Sequence, residues 1–282
     1  MPSTRPTGVR PTPIARLTGV PATPTALRRT AFLAGALYLL TFASSIPAVF
    51  VLDPVLSDPA YVLGAGADTR VIWGAVLDII NPLACIGTAV VLYPVLKRQS
   101  QALALGFVTS RVLEAAILMT GVLSLLAVVT LRQDLGATAG SDAGVLVTVA
   151  AGLVAVRDWA FLLGTSLAIP NALLLGTLMY RSRLVPRAIP LMGLIGAPLL
   201  LIANGLTMFG LNDQLSLLSA VALPGIFFWE LSLGVYLVVK GFRPSPLTAA
   251  LLAADEAAPH EAAPADESRL ESVSAVATGV SR

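Results

Sequence analysis

The chain has 282 residues, of which 56% are hydrophobic and only 12% are charged, and its formal net charge is +2. Soluble domains carry roughly 25% charged residues, so this chain has too little polar surface to cover a water-facing globule. The composition therefore excludes an ordinary soluble domain. It predicts an integral membrane protein whose surface mainly contacts the lipid bilayer.

A polar arm precedes the first apolar run. Residues 1–29 are rich in Pro, Thr and Arg and show no apolar periodicity, which predicts a disordered cytoplasmic arm. The first apolar run continues from Ala31 to Leu52 and lacks a convincing small-residue cleavage site. It therefore predicts a retained membrane helix rather than a removed signal peptide.

Six apolar stretches are long enough to cross a bilayer, since a helix needs about 20 residues to span a hydrocarbon core of roughly 30 Å. They predict an all-α, six-helix transmembrane bundle over residues 30–243. Residues 143–156 are apolar too, and they leave open an outward extension of the fourth helix or a segment lying along the outer interface. The six predicted helices cover about 31–52, 71–96, 103–131, 156–180, 188–210 and 215–240.

The positions of Lys and Arg predict the orientation of the bundle. Positive residues are concentrated at every second boundary between the predicted helices, and such loops face the cytoplasm. Both termini are therefore expected in the cytoplasm. Residues 244–282 are rich in Ala, Pro and Glu and are predicted to be a disordered acidic tail on that side, with a short amphipathic turn near Leu247. The positive set is Arg16, Arg28, Arg29, Lys97, Arg98, Arg181, Arg183, Arg187, Lys240 and Arg243.

Three charged residues fall inside the predicted membrane helices at one depth. Arg111 and Glu114 are three apart and share a face of the third helix, and Glu230 lies in the sixth. We predict that they form one charged cluster in the inner half of the bundle. Because buried charges in membranes persist when they are paired or functional, the cluster is interpreted as either a substrate or proton site or an ionic staple between helices.

A second pair is predicted nearer the outer side. Asp78 in the second helix and Arg157 at the outer end of the fourth lie at matching depth. Three amides, Asn81, Asn171 and Asn204, are expected to make hydrogen bonds between helices. Pro224 precedes Glu230 by little more than one turn, so a kink there would indicate access to that carboxylate.

Small residues recur at every fourth position along the predicted fourth helix. Such a stripe lets a neighbouring helix approach closely, so we predict a packing role for it. The stripe consists of Ala160, Gly164, Ala168, Ala172 and Gly176.

The chemistry of known cofactor sites is missing from the sequence. The chain has one cysteine, Cys85, and one histidine, His260, which lies in the polar tail. His-ligated haem, a Cys/His zinc site and a Ser-His triad are therefore excluded. We predict no cofactor, no metal site and no catalytic residue, and the basic loops need no nucleic acid to explain them.

Four segments of the predicted bundle are distinctive: Arg111–Ala115, the run Leu178–Arg187 with Gly193–Gly196, Trp229-Glu230 leading to Lys240-Gly-Phe242, and the opening Arg29–Leu39. They resemble a bacterial family of uncharacterised multi-pass membrane proteins, DUF4386, over roughly residues 28–243. The resemblance implies a bacterial inner-membrane protein and brings no activity, so no catalytic residue is implied.

Two classes of function remain open from the sequence. The first is a non-enzymatic small-molecule permease or a membrane sensor or regulatory subunit, in either case with no substrate defined. The second is a structural scaffold acting through protein partners, as a homo-oligomer or with another membrane protein. An enzyme is the least favoured class, because only carboxylate chemistry is present.

Overall fold

The computed structural model describes residues 23–64, 68–136, 139–212 and 216–256. These residues form helices and no strand, which confirms the predicted all-α class. Most of the predicted arm and most of the predicted acidic tail lie outside the described residues. The helices are α1 (Pro24–Ser57), α2 (Thr69–Leu96), α3 (Gln101–Leu135), α4 (Ala143–Ser166), α5 (Ala168–Ser182), α6 (Ala188–Met208), α7 (Leu217–Val239) and α8 (Pro246–Glu256), with short 3₁₀ helices at Tyr61–Leu63 and Gly140–Asp142.

Six segments are long and apolar enough to cross a membrane, as predicted. They are α1, α2, α3, the continuous stretch Gly140–Ser182, α6 and α7. The 34 residues of α1 and the 35 of α3 correspond to about 50 Å of helix, which is more than a bilayer core of roughly 30 Å requires. Their ends therefore extend beyond the hydrocarbon layer, and which end faces the cytoplasm stays a prediction.

The predicted fourth helix, 156–180, differs in the structure, where two consecutive helices meet at Leu167. Pro170 explains the break, because proline has no N–H to donate to the carbonyl of Ser166 and its ring collides with that carbonyl. Asn204 on α6 donates to Ser166 Oγ at 2.8 Å and so ties the break to a neighbouring helix. Residues 143–156 form the first part of α4, and Leu146 and Ala150 are buried in a core cluster shared with α3.

The spans form a closed ring in chain order. Each helix packs on the next, from α1 through α2, α3, the α4–α5 pair and α6 to α7, and α7 packs back on α1. In this arrangement α3 and α7 stand on opposite sides of the ring. Side chains from α3 can therefore reach α7 only across the centre of the ring.

The outer faces of the helices are strongly apolar. Large hydrophobic side chains such as Phe50, Trp73, Leu123 and Ile195 are exposed on them, while the interior is filled by two clusters of buried aliphatic residues. A water-facing surface of this extent would aggregate. The arrangement is that of a membrane protein with lipid around the ring.

Two glycine pairs set the distance between α7 and its neighbours. A methyl group added to Gly35 would lie 2.6 Å from the backbone oxygen of Gly234, and one added to Gly196 would lie 2.8 Å from the carbonyl carbon of Gly225. The backbones of α1 and α6 therefore touch the backbone of α7 directly. These two crossings lie on either side of Glu230 along α7.

Candidate functional site

Arg111 projects from α3 into the centre of the ring and is only 2% exposed. It lies ten residues from the start of α3, and Glu230 lies nine residues from the end of α7. Because α3 and α7 run in opposite directions across the bundle in a six-span ring, the two residues come to one depth. The guanidinium is the centre of the polar interior.

The structure brings the three predicted cluster residues together. Arg111 Nη1 donates to Glu114 Oε2 at 2.9 Å, and Arg111 Nη2 donates to Glu230 Oε1 at 2.5 Å. The side chains of Arg111 and Glu114 are 3% and 7% exposed, whereas that of Glu230 is 17% exposed. Glu230 is therefore the most accessible member of the cluster.

Three further residues complete the cluster. Asn171 Nδ2 on α5 donates to Glu114 Oε2 at 2.8 Å, Arg111 Nη2 donates to the Tyr38 hydroxyl on α1 at 3.3 Å, and Arg111 Nη1 lies 3.6 Å from Cys85 Sγ on α2. Five helices thus contribute side chains. Asn171 was predicted only to make a hydrogen bond between helices, and nothing in the sequence separates Tyr38 from an ordinary apolar aromatic.

Two polar atoms of this cluster keep hydrogen-bonding capacity. Arg111 Nε and Asn171 Oδ1 are buried without a hydrogen-bond partner within the described part of the chain. Buried polar groups are nearly always paired, so one donor and one acceptor beside the carboxylates are available to a ligand. The cluster can therefore hold more than its own ion pairs.

Comparison with known proteins identifies the family of the chain. Residues 33–241 match the family model described as Domain of unknown function (DUF4386). The chain belongs to this family. No curated protein and no solved structure matches it. The matched region contains Tyr38, Cys85, Arg111, Asn171 and Glu230, so the whole central cluster belongs to the DUF4386 domain.

The predicted outer pair is also in contact in the DUF4386 domain. Arg157 Nη2 on α4 lies 3.8 Å from Asp78 Oδ2 on α2, and Arg157 Nη1 lies 3.7 Å from Asp158 Oδ1. The Arg157 guanidinium also lies over the Phe161 ring, with Cζ 4.7 Å from the ring centre. Both distances to the carboxylates exceed a hydrogen bond, so this pair is looser than the central one.

A line of polar side chains on α2 leads from the outer pair toward the centre. Asp78, Asn81 and Cys85 are spaced by three and four residues and so share one face of the helix. Cys85 Sγ lies 3.9 Å from Asn81 Oδ1. Asp78 and Cys85 are separated by about 10 Å along the helix axis, so α2 connects the two charged groups through the interior.

A further polar cluster closes the end of the DUF4386 domain at which α3 ends and α2 begins. Asp68 is buried and accepts from Arg132 Nη1 at 2.9 Å, from the Tyr61 hydroxyl at 2.7 Å and from Gln133 Nε2 at 2.9 Å. Burial raises the pKa of Tyr61, and its hydrogen bond to Asp68 adds to the rise. Nothing in the sequence pairs Asp68 with Arg132, and this cluster was not predicted.

The small-residue stripe does not form one face, because the helix breaks at Leu167. A methyl group added to Gly164 would lie 2.6 Å from Leu118 on α3, and one added to Gly176 would lie 3.2 Å from Leu194 on α6. Ala160 and Ala172 are buried and Ala168 is half-buried. The stripe therefore packs against two helices of the same chain.

Within the described ranges, no group of three or more His, Cys, Asp or Glu side chains is placed to hold a metal ion. What the central cluster offers chemically is a guanidinium between two carboxylates, a buried amide and a phenol. These groups bind protons, cations and polar small molecules.

Proposed function

We propose that this DUF4386 protein is a small-molecule permease whose cycle is coupled to protonation of the Arg111, Glu114 and Glu230 cluster. The observation that carries the proposal is the single guanidinium of Arg111 between two carboxylates at the centre of a ring of six spans. Intramembrane ionisable residues typically mark substrate or proton pathways.

Charge balance favours a proton-binding site over a purely structural pair. One guanidinium and two carboxylates leave one excess negative charge when both carboxylates are ionised. An unbalanced charge is costly in a low-dielectric interior, so the cluster is expected to take up a proton or a cation. Protonation of one carboxylate would loosen its bond to Arg111 and leave Arg111 paired with the other, which gives two states of one site.

Two features support access of a substrate to this cluster. The buried Arg111 Nε donor and Asn171 Oδ1 acceptor have no partner within the described residues, and a polar substrate with one acceptor and one donor would satisfy both. Glu230 keeps a partly exposed side chain, and the polar face of α2 from Asp78 to Cys85 extends from the outer pair to the same point.

The topology proposed with this function follows the placement of Lys and Arg. Both termini lie in the cytoplasm, and the membrane is the bacterial inner membrane, as the family resemblance implies. The outer pair of Asp78 and Arg157 then faces the outside and the central cluster lies in the inner half.

A membrane sensor or regulatory subunit is the second candidate within the same class. The same two-state cluster would then report protonation or ligand binding without moving a solute. The scaffold alternative has less support, because Gly164 and Gly176 of the small-residue stripe pack inside this chain.

Reconstitution into liposomes tests the proposal. A pH-sensitive dye inside the vesicles would report proton movement when pools of candidate solutes are added under an imposed pH gradient. We expect solute-dependent proton flux for the wild type and its loss in Glu230→Gln. Asp53→Asn is the matched control, since Asp53 is an exposed carboxylate on α1.

The outcomes separate the candidates. Wild-type vesicles that show no flux for any solute would contradict a permease. A change of Trp229 fluorescence with pH that Glu230→Gln abolishes, in the absence of flux, would favour the sensor, because Trp229 is buried next to Glu230 and against Gly193.

A further inference from the structure

We propose that the end of the bundle where α1, α7 and α8 meet binds the headgroup of an anionic phospholipid, whose acyl chain lies along Phe32 and Leu33. The proposal is independent of transport, because Arg28 and Lys240 at this surface lie ten residues, or about 15 Å, along their helices from Tyr38 and Glu230 of the central cluster. It rests on two adjoining grooves that share Arg28.

The first groove has a volume of about 370 Å³ and lies between the start of α1, residues 240–245 and α8. Three cationic residues line it, Arg28, Lys240 and Arg243, beside apolar side chains that include Leu27 and Leu252. Arg28, Lys240 and Arg243 make no ion pair among the described residues. Within the part of the chain that the structure describes, the groove therefore presents positive charge without a paired carboxylate.

The second groove, of about 350 Å³, adjoins the first on the lipid-facing side of α1. It is lined by Arg28, Arg29, Phe32 and Leu33. Each arginine is followed four residues later by a large apolar side chain on the same side of the helix, and Phe32 and Leu33 are 48% and 52% exposed. Cations at the end and apolar groups along the side match a phosphate headgroup above an acyl chain.

Arg28 is held rigidly between the two grooves. Its guanidinium donates to the carbonyls of Leu237, Val238 and Val239 at 3.1, 2.9 and 3.1 Å. These carbonyls lie in the last turn of α7, and that of Leu237 also accepts from the backbone N–H of Gly241 at 3.2 Å. Arg28 therefore fixes the wall of the site, while the exposed Arg29 and Arg243 are the side chains that remain able to turn toward a phosphate.

Helix α8 forms the opposite wall of the first groove. Its start is fixed by reciprocal hydrogen bonds, from Ser245 N to Thr248 Oγ1 at 2.8 Å and from Thr248 N to Ser245 Oγ at 3.3 Å. Leu251 packs into the main core. The wall is thus attached to the bundle rather than extending from it, and the groove keeps its shape.

The apolar side chains favour a phospholipid over a soluble phosphate. A soluble anion would use the cations alone, whereas a lipid also covers Phe32 and Leu33. Basic pockets at the membrane boundary of helices bind anionic headgroups in this manner.

Native mass spectrometry of the full-length protein in neutral detergent tests the proposal. Phosphatidylglycerol and phosphatidylcholine of equal chain length would be titrated separately onto wild type and onto the double variant Arg29→Gln, Arg243→Gln. We expect the wild type to retain phosphatidylglycerol preferentially, and the double variant to retain roughly ten-fold less of it. Equal retention of the two lipids by the wild type would overturn the proposal.

The matched control removes two exposed arginines from the same end of the bundle. Arg98→Gln with Arg181→Gln changes the net charge by the same amount and lies away from both grooves. We expect this control to retain phosphatidylglycerol as the wild type does. An equal loss in the control would mean that general positive charge attracts the lipid, which contradicts a defined site.

Two further measurements distinguish a lipid headgroup from a soluble phosphate. Glycerol phosphate should not displace phosphatidylglycerol, and displacement at equal concentration would assign the site to a soluble anion instead. Phe32→Ala should weaken retention of a long-chain phosphatidylglycerol while leaving a six-carbon-chain form unchanged. If neither form responds to Phe32→Ala, the proposed path of the acyl chain is wrong.

Discussion

Arg111 and Glu230 join opposite sides of the ring, with Arg111 Nη2 and Glu230 Oε1 2.5 Å apart. Their helices, α3 and α7, each pack on other neighbours, so this ion pair crosses the interior rather than a helix–helix interface. The two glycine crossings of α7 hold the Glu230 backbone in place from both sides. The distance between Arg111 and Glu230 therefore depends on how the backbones of the whole ring are arranged.

Removal of the guanidinium should destabilise the protein, and removal of a carboxylate should then partly restore it. Arg111→Ala leaves the buried Glu114 and the partly buried Glu230 without their cation. Removing one partner of a buried ion pair costs about 3–5 kcal/mol. We expect a lower yield of monodisperse protein and a lower melting temperature in detergent. Adding Glu114→Ala or Glu230→Ala should recover part of both.

Arg98→Ala is the control for this series, since Arg98 is exposed near the end of α2. It should leave yield and melting temperature close to the wild type. If neither double variant improves on Arg111→Ala, the three residues are not energetically coupled.

Two glycines on α6 should respond to the same substitution in opposite directions. A methyl group at Gly196 would meet the backbone of Gly225 at 2.8 Å, whereas one at Gly205 meets nothing within 4 Å. Gly196→Ala should therefore cost about 1–3 kcal/mol through overpacking. Gly205→Ala should stabilise α6 by up to about 1 kcal/mol, because alanine is the better helix former.

Thermal melts of the two variants in one detergent provide the measurement. Equal melting temperatures would contradict the backbone contact between α6 and α7. If only Gly205→Ala lowered the melting temperature, α6 would have to pack on α7 through the face that carries Gly205 rather than the face that carries Gly196.

The sequence predicts the six spans and the central charged residues because both depend on hydrophobic length and on the cost of a charge in lipid. Arg111 and Glu114 are visible as charges in an apolar run, and their depth matches that of Glu230. The break at Leu167 was missed, although Pro170 was the signal for it. Proline is common in membrane helices, and only packing decides which one breaks its helix.

Other residues of the site could not be predicted from the sequence. Tyr38 looks like any aromatic residue in an apolar helix until its hydroxyl is placed against Arg111. Asp68 and Arg132 are 64 positions apart, and only the fold of the chain between α1 and α2 against the end of α3 brings them together. The glycine crossings of α7 likewise depend on which helices become neighbours, which no local pattern encodes.

The cluster of Asp68, Tyr61 and Arg132 should make stability fall at high pH. Burial and the hydrogen bond to Asp68 raise the pKa of Tyr61 above its usual value, so the folded protein holds this proton more tightly than the unfolded chain. The contribution is fully present below pH about 10, the usual tyrosine pKa, and is lost as the pH rises through the folded value.

Tyr61→Phe tests this prediction. It removes the hydrogen bond to Asp68, which is typically worth about 1 kcal/mol, and should lower the melting temperature at pH 8. Between pH 9 and 11 the variant should lose less stability than the wild type. Tyr180→Phe, at the other end of the bundle, is the control and should keep the wild-type profile; a steeper decline in Tyr61→Phe would contradict the assignment.

Accessibility of two engineered cysteines should reveal the orientation of the ring. Asp134 near the end of α3 and Arg98 near the end of α2 are both exposed, at opposite ends of the bundle. The native Cys85 is buried and should not react with a membrane-impermeant maleimide. In intact cells we expect Asp134→Cys to be labelled from outside and Arg98→Cys to be labelled only after the membrane is opened, because cytoplasmic loops collect the positive charges. The reverse pattern would invert the bundle, and the central cluster would then lie in the outer half of the membrane, with Asp78 and Arg157 toward the cytoplasm.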